Sequence, residues 1–494
     1  MTVLNLVIFL PLAASLLLLA LPRLGARAAG VLWIATTALD LLLVLGLWAT
    51  HDGGMDHQTR LRWIPSVNAS YHVGVDGLSL PLLALTALLF LVCAVYSPGR
   101  GRGFAALFLF LQSVCLGLFS ALDLLLFFVF FDLSIVGMYF VIAGWGHGDR
   151  LRSALKFFLY TFLGSLALLL GFIGLYLGAE PHTFDIVELT AEPPLADSPG
   201  AAALVLLAVG IGLAVKTPTV PVHTWLPPAH TDAPAAGSAI LAGILLKMGV
   251  YGMLRIAMPM LPDAWRRYAG VILVIGLVSA VYGALVALAQ ENVKRMIAYT
   301  SVSHMGYIVL GLGAAGMAGN AAAHRLAVSG GITQMVSHGL LTGALFLLAG
   351  VFHDRAGTYD MGRYGGIARG APVFAALTAI AAFGSFGLPG LSGFIAEFQI
   401  FTGTIGADGA ATAVAGALAL PGVLLTAALF LRMLHRTMLG GPGPDTGGIT
   451  DLRAAETTAI VPLLALSLLI GVAPRFLLDV IEPASAAIVS LVSR

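Results

Sequence analysis

Apolar residues run along this chain in long blocks with few polar interruptions. Leu4 to Leu21 is the first, and comparable blocks recur to the C-terminal end. A helix crossing hydrocarbon needs about 20 mostly apolar residues. The blocks predict fourteen spans: 3–22, 29–49, 78–97, 103–120, 122–144, 153–178, 200–220, 235–257, 269–289, 293–314, 325–352, 372–403, 410–436 and 457–480. Backbone amides find no water in lipid, so such spans are helices rather than barrel strands. The expected fold class is all-α: a polytopic membrane protein, one transmembrane domain over 1–494. The longest connections, near 50–77 and 179–199, leave no room for a separate soluble domain. The first block has no basic residues before it and is long enough to stay as a span.

Two spans carry helix breakers beside a charge. Lys216 precedes Thr-Pro-Thr-Val-Pro (217–221) in the seventh, and Glu397 follows the Gly- and Pro-rich stretch 387–393 in the twelfth. Broken helices at membrane depth occur where they line a cavity, and matched breaks in two halves point to a transport site. These breaks stand five spans apart. A five-helix unit must enter from the opposite side in its second copy. Residues 103–257 and 269–436 are therefore expected to form inverted repeats, flanked by helices in 1–97 and 457–494.

Composition agrees with the pattern. Hydrophobic residues make up 59%, charged residues 10%, and mean hydropathy is +0.97; a soluble domain carries roughly 25% charged residues. A net charge of +1 offers no basic surface to nucleic acid. Cys93 and Cys115 are too few to hold an iron–sulfur cluster, and both lie in apolar stretches where small buried hydrophobes belong. No phosphate loop, nucleophile elbow or metal-ligand cluster is present. No cofactor and no metal is expected in this chain. Fifteen Lys and Arg lie on the side reached after odd-numbered spans, in connections or at span ends, and eight on the other side. The positive-inside rule then places both termini outside the cytoplasm.

Against this background the charges at membrane depth stand out. They are Asp132, Lys216, Lys247 and Glu397, each flanked by apolar residues. Such a charge costs several kcal/mol unless paired or hydrated, and marks an ion or proton pathway by default. Asp132 is the natural partner for Lys216. Lys247, eight residues inside its block, cannot reach the interface by snorkelling. Glu397 has no basic residue in its own span and suits a terminal proton site. His304 and His338 are the intramembrane histidines, flanked by Ser and Thr, and histidine suits a relay. His223 and His230 flank a Pro-broken turn after Lys216; they either line an exit or order the connection. Asp76 reads as a helix N-cap. Lys294 and Arg295 sit at a helix start on the basic side, which topology explains.

The run from Val215 to Gly249, with Lys216-Thr-Pro-Thr-Val-Pro-Val-His and His-Thr-Trp-Leu-Pro-Pro-Ala-His, resembles the signature of the antiporter-like subunits of respiratory complex I. So do Gln290 to Gly306 and Tyr71 to Ser79. The resemblance covers nearly the whole chain, and the family also includes Mrp-type antiporter and membrane-bound hydrogenase subunits. Glu397 is similar to the acid of the M-type chains, where L, N and Mrp relatives carry Lys. The sequence also ends soon after the fourteenth span, where L-type chains continue into a long lateral helix.

The resemblance implies a proton-translocating subunit of a bacterial NADH:quinone oxidoreductase in the inner membrane. It implies N-type and L-type neighbours, with flavin, iron–sulfur clusters and quinone held by partner subunits. A sodium/proton antiporter subunit of Mrp type is the alternative. The implied relay runs from Asp132 and Lys216 through Lys247, His304 and His338 to Glu397. One departure is that the family has Glu where this chain has Asp132. Compensating helix packing is expected to keep Asp132 as close to Lys216 as a Glu would be.

Overall fold

The computed structural model describes residues 2–492. The apolar blocks fold as helices: α1 (Val3–Ala20), α2 (Ala26–Thr50), α3 (Leu80–Tyr96), α4 (Arg102–Ser120), α5 (Leu124–Trp145) and α6 (Arg150–Gly178). After a short α7 (Ile186–Ala191) come α8 (Pro199–Lys216), α9 (Leu226–Asp232), α10 (Ala235–Met260), α11 (Pro262–Leu288) and α12 (Val293–Ala315). The chain continues through α13 (Ala321–Ala356), α14 (Pro372–Ser385), α15 (Ser392–Ile405), α16 (Ala410–Thr437), α17 (Ala454–Val472) and α18 (Arg475–Val492). Eleven of the described helices are long and apolar enough to cross a membrane. The protein is a polytopic helical membrane protein. Leu42, Leu163, Leu204 and Leu424 are 65 to 74% exposed on α2, α6, α8 and α16, an apolar exterior that belongs against lipid.

Two features depart from the sequence reading. The connection 50–77 is an antiparallel hairpin of β1 (Asp56–Ile64) and β2 (Ala69–Val75), so the fold is not purely α. The last span ends at Val472, and α18 begins after Pro474 as a separate amphipathic helix, because proline cannot continue a helix from its N-terminal side. The two helix breaks occur where expected, at 217–225 and 386–391. Cys93 and Cys115 are buried free thiols.

Loops from distant spans meet at two ends. At one end Leu122 N donates to His72 O and Leu124 N to Phe184 O, which joins the hairpin to residues 121–124 and 184–186. There Asp185 accepts from His72 Nδ1 at 2.7 Å and lies 3.3 Å from Arg60. Burial raises the Asp185 carboxyl, but His72, backbone amides and Arg60 outweigh it and hold the group below its ordinary value. Thr2 meets Thr59 at this end, and Arg266 donates to Val492 O. At the opposite end His147 N donates to Asp232 O and Val293 N to Tyr359 O.

The centre belongs to α10 and α13, which are buried nearly end to end. Their approach depends on two glycines. A Cβ on Gly339 would lie 3.0 Å from Gly243 O and 2.5 Å from Leu85. With hydrogen there instead, the helices close and bring Lys247, one turn after Gly243, to His338.

Candidate functional site

Lys216 ends α8 because prolines 218 and 221 forbid a further turn. The backbone groups freed by the break are paired: Trp225 Nε1 donates to Val215 O at 3.0 Å and Val220 N to Ser279 Oγ at 2.9 Å. Lys216 is 1% exposed. Its Nζ donates to Ser134 Oγ at 2.9 Å and lies 4.6 Å from the Phe131 ring.

Asp132 does not pair with Lys216 as expected; no ion pair within 4.0 Å joins them among the described residues. Residues two apart on a helix point about 200° apart, whereas residues three apart share a face. Lys216 meets the Phe131/Ser134 face of α5. Asp132 therefore faces Ser165 on α6, still within the electrostatic reach of Lys216, and its Oδ1 is buried with no hydrogen-bond partner among the described residues. The missing methylene has not been compensated by packing.

Lys247 lies between two widened π-helical segments of α10, Leu241–Leu245 and Met253–Ala257. Wide turns of this kind recur at functional sites. Here the register shift frees Ala242 O, five residues back, to accept from Lys247 Nζ. The same Nζ contacts His338 Nδ1 at 2.6 Å.

From His338 the line continues. The His338 and His304 rings stand edge to face with centroids 5.5 Å apart. His304 Nε2 is 3.9 Å from Glu397 Oε1. A small cavity between His304, His338, Ser385 and Glu397 has room for about one water. His338 Nε2 and both His304 nitrogens have no hydrogen-bond partner among the described residues. The break before α15 makes the space: Gly387 has φ +76°, and a Cβ there would collide with the Glu397 carboxylate.

The two remaining histidines separate. His230 is fully buried, stacks on Phe346 at 4.5 Å, and lies in the electrostatic reach of Lys247, Lys294 and His338. His223 packs edge-on to Tyr282 and stays out of this line.

Sequence reasoning missed Lys294. It is fully buried, donates to Ala233 O and Thr231 O past the end of α9, and faces the Tyr359 ring at 5.2 Å. The His147 and His353 rings pack against each other nearby, tilted with centroids 4.5 Å apart. Burial and the Lys294 charge push His147, in the α5–α6 connection, down to about 3, so it is neutral at working pH. A polar vestibule of about 760 Å³, lined by Asp149, Arg152, Ser153, Lys156, Asp232 and Arg295, opens onto Thr231 and Asp232.

Asp76 accepts from the amides of Leu78 and Ser79 in the turn before α3, as an N-cap reading implies, but it also grips Arg255 at 2.7 and 2.5 Å. Arg255 thus ties the end of α10 to the start of α3. Burial pushes Asp76 up, and the guanidinium and the Ser79 amide more than offset it, holding the carboxyl below 3.8.

Comparisons with known proteins agree with this arrangement. Residues 121–420, which hold the relay candidates, match the model of the NADH:quinone oxidoreductase/Mrp antiporter transmembrane family. NADH-quinone oxidoreductase subunit M of Rhodobacter capsulatus is 39% identical over 98% of this chain and 96% of its own length. A chain of respiratory complex I from Thermus thermophilus with bound NADH superposes with TM-score 0.90 at 33% identity, covering 99% of both chains. A chain of the Mrp complex from Dietzia sp. DQ12-45-1b gives 0.86 at 22% identity over 100% of both, a likeness of fold. The chain belongs to the NADH:quinone oxidoreductase/Mrp antiporter transmembrane family, alongside the M subunits of NADH-quinone oxidoreductase.

Proposed function

We propose that this chain translocates protons across a bacterial inner membrane as the M-type subunit of a NADH:quinone oxidoreductase. Flavin, iron–sulfur clusters and quinone reside in partner subunits, and N-type and L-type chains flank it. The observation that carries the reading is the succession Lys247–His338–His304–Glu397, hydrogen-bonded at its first step and with a water-sized cavity among its last three groups, inside otherwise apolar helices. A static structural pair would need only two of these groups.

The residues divide the work. The vestibule reaches Asp232, near Lys294, and His230 lies within the electrostatic reach of both Lys294 and Lys247, the place where a proton would cross between them. Lys247 releases a proton to His338 Nδ1. An imidazole protonated at one nitrogen can release from the other, so Nε2 passes charge toward His304 and, through water, Glu397. Glu397 exchanges with the far side. Moving one proton against roughly 180 mV costs about 4 kcal/mol. An ion pair closing at about 4 Å in a partly screened site supplies about 4 kcal/mol. Lys216 turning from Ser134 to Asp132 is such a closure, and the present geometry is its open state.

Fourteen crossings and inverted repeats over 103–257 and 269–436 belong to the same reading; the breaks between α8 and α9 and between α14 and α15, as the seventh and twelfth spans, support it. The termini then face the outside, with the vestibule in the cytoplasm. An Mrp-type role is the weaker reading, since identity to the complex I chain is 33% against 22%. Purification under mild detergent tests this directly. Flavin and iron–sulfur subunits should come with the chain; recovery with small membrane proteins alone would favour the antiporter.

A further inference from the structure

One more acid lies at membrane depth, away from the relay. Asp40 in α2 and Gln112 in α4 are both fully buried. Gln112 Nε2 donates to Asp40 Oδ2 at 2.6 Å. The second oxygen of each, Asp40 Oδ1 and Gln112 Oε1, has no partner among the described residues. No cation pairs with Asp40 among those residues either. An ionised carboxylate here would be both uncompensated and one donor short, each costly in an apolar interior.

A carboxylic acid and a primary amide are complementary. The acid O–H donates to the amide oxygen while the amide N–H donates to the acid carbonyl. One proton on Asp40 would therefore satisfy both orphan oxygens. We propose that Asp40 holds a fixed proton and closes this two-bond ring with Gln112, fastening α2 to α4 rather than serving the proton route; only that contrast rests on the function proposed above.

The surroundings fit a fastener. Ser113 Oγ donates to Ile8 O at 2.5 Å and Ser15 Oγ to Ala106 O at 2.7 Å, so α4 is also tied to α1 above and below Gln112. Trp33 of α2 packs edge-on against Phe104 and Phe108 of α4. α4 carries Cys115, which lies in the electrostatic reach of Lys216. A fixed α4 gives Lys216 a rigid wall while it changes partner.

Infrared spectroscopy of the purified complex tests the proton. Asp40→Asn should remove a protonated-carboxyl C=O band, and Gln112→Leu should shift it. Asp40→Asn can keep an amide–amide ring, so the assembled complex should pump within about twofold of wild type. Asp40→Leu and Gln112→Leu each leave one orphan oxygen group and should each lower Tm more than the double variant does. Loss of pumping in assembled Asp40→Asn, or no protonated band lost, overturns the proposal. The infrared result stands even where a leucine variant fails to assemble or the relay reading itself fails.

Discussion

His338→Gln separates a relay from a structural role. His338 accepts from Lys247 Nζ at 2.6 Å, and its ring centre lies 5.5 Å from that of His304. A hydrogen bond to a charged group contributes about 1.5–3 kcal/mol. Glutamine Oε1 can accept from the lysine and restore much of that, but an amide cannot take up and release a proton near neutral pH. Without the imidazole, Lys247 loses the ring that stands between it and His304, and no hydrogen bond joins those two directly among the described residues. The variant should therefore assemble with a Tm close to wild type. Its proton pumping should fall at least about tenfold, equivalent to about 1.4 kcal/mol in barrier. The assay is pH-sensitive dye quenching in proteoliposomes driven by NADH and quinone, with NADH oxidation by an artificial acceptor as the control for assembly. Near-normal pumping would refute His338 as a carrier. A parallel collapse of Tm and assembly would show that the ring is structural.

Three further outcomes are expected. Asp132→Asn, nearly isosteric but uncharged, should cripple pumping in the assembled complex while Asp132→Glu is tolerated; near-normal pumping by the asparagine variant, measured in vesicles, removes the pair as a gate. Asp76→Asn should destabilise the complex by about 3 kcal/mol, because it breaks a largely buried ion pair. Since the folded Asp76 carboxyl lies below 3.8, that Tm difference should hold from about pH 9 to about pH 5 and shrink as acid protonates the wild-type group; a difference that grows on acidification contradicts it. Reporter fusions after Leu151 and after Glu192 should report opposite compartments, Leu151 cytoplasmic, and matching signals would sink the topology.

Much of the site was legible because an isolated charge in an apolar block needs a reason. Lys216, Lys247 and Glu397 were visible that way, and the breakers beside two of them located the gaps at 217–225 and 386–391. What was hidden depends on packing. β1 is partly or fully exposed at every position, so no alternation marks it as a strand. Asp132 lies on the wrong side of α5 by two residues, which spacing from Ser134 could have warned of. Lys294 looked like an ordinary basic residue at a helix start; only the fold puts the end of α9 over it. His230 was ambiguous until α13 brought Phe346 under its ring. Asp40, one acid in a leucine-rich helix, was overlooked although the same reasoning applied to it.

The most direct measurement is proton pumping by the assembled Lys247→Ala complex. Lys247 is fully buried, held by Ala242 O and His338, and pairs with no carboxylate among the described residues that would make it a mere structural pair. The account predicts a complex that still oxidises NADH with an artificial acceptor but pumps few protons, with quinone reduction falling in step. Normal pumping by that assembled complex would contradict it.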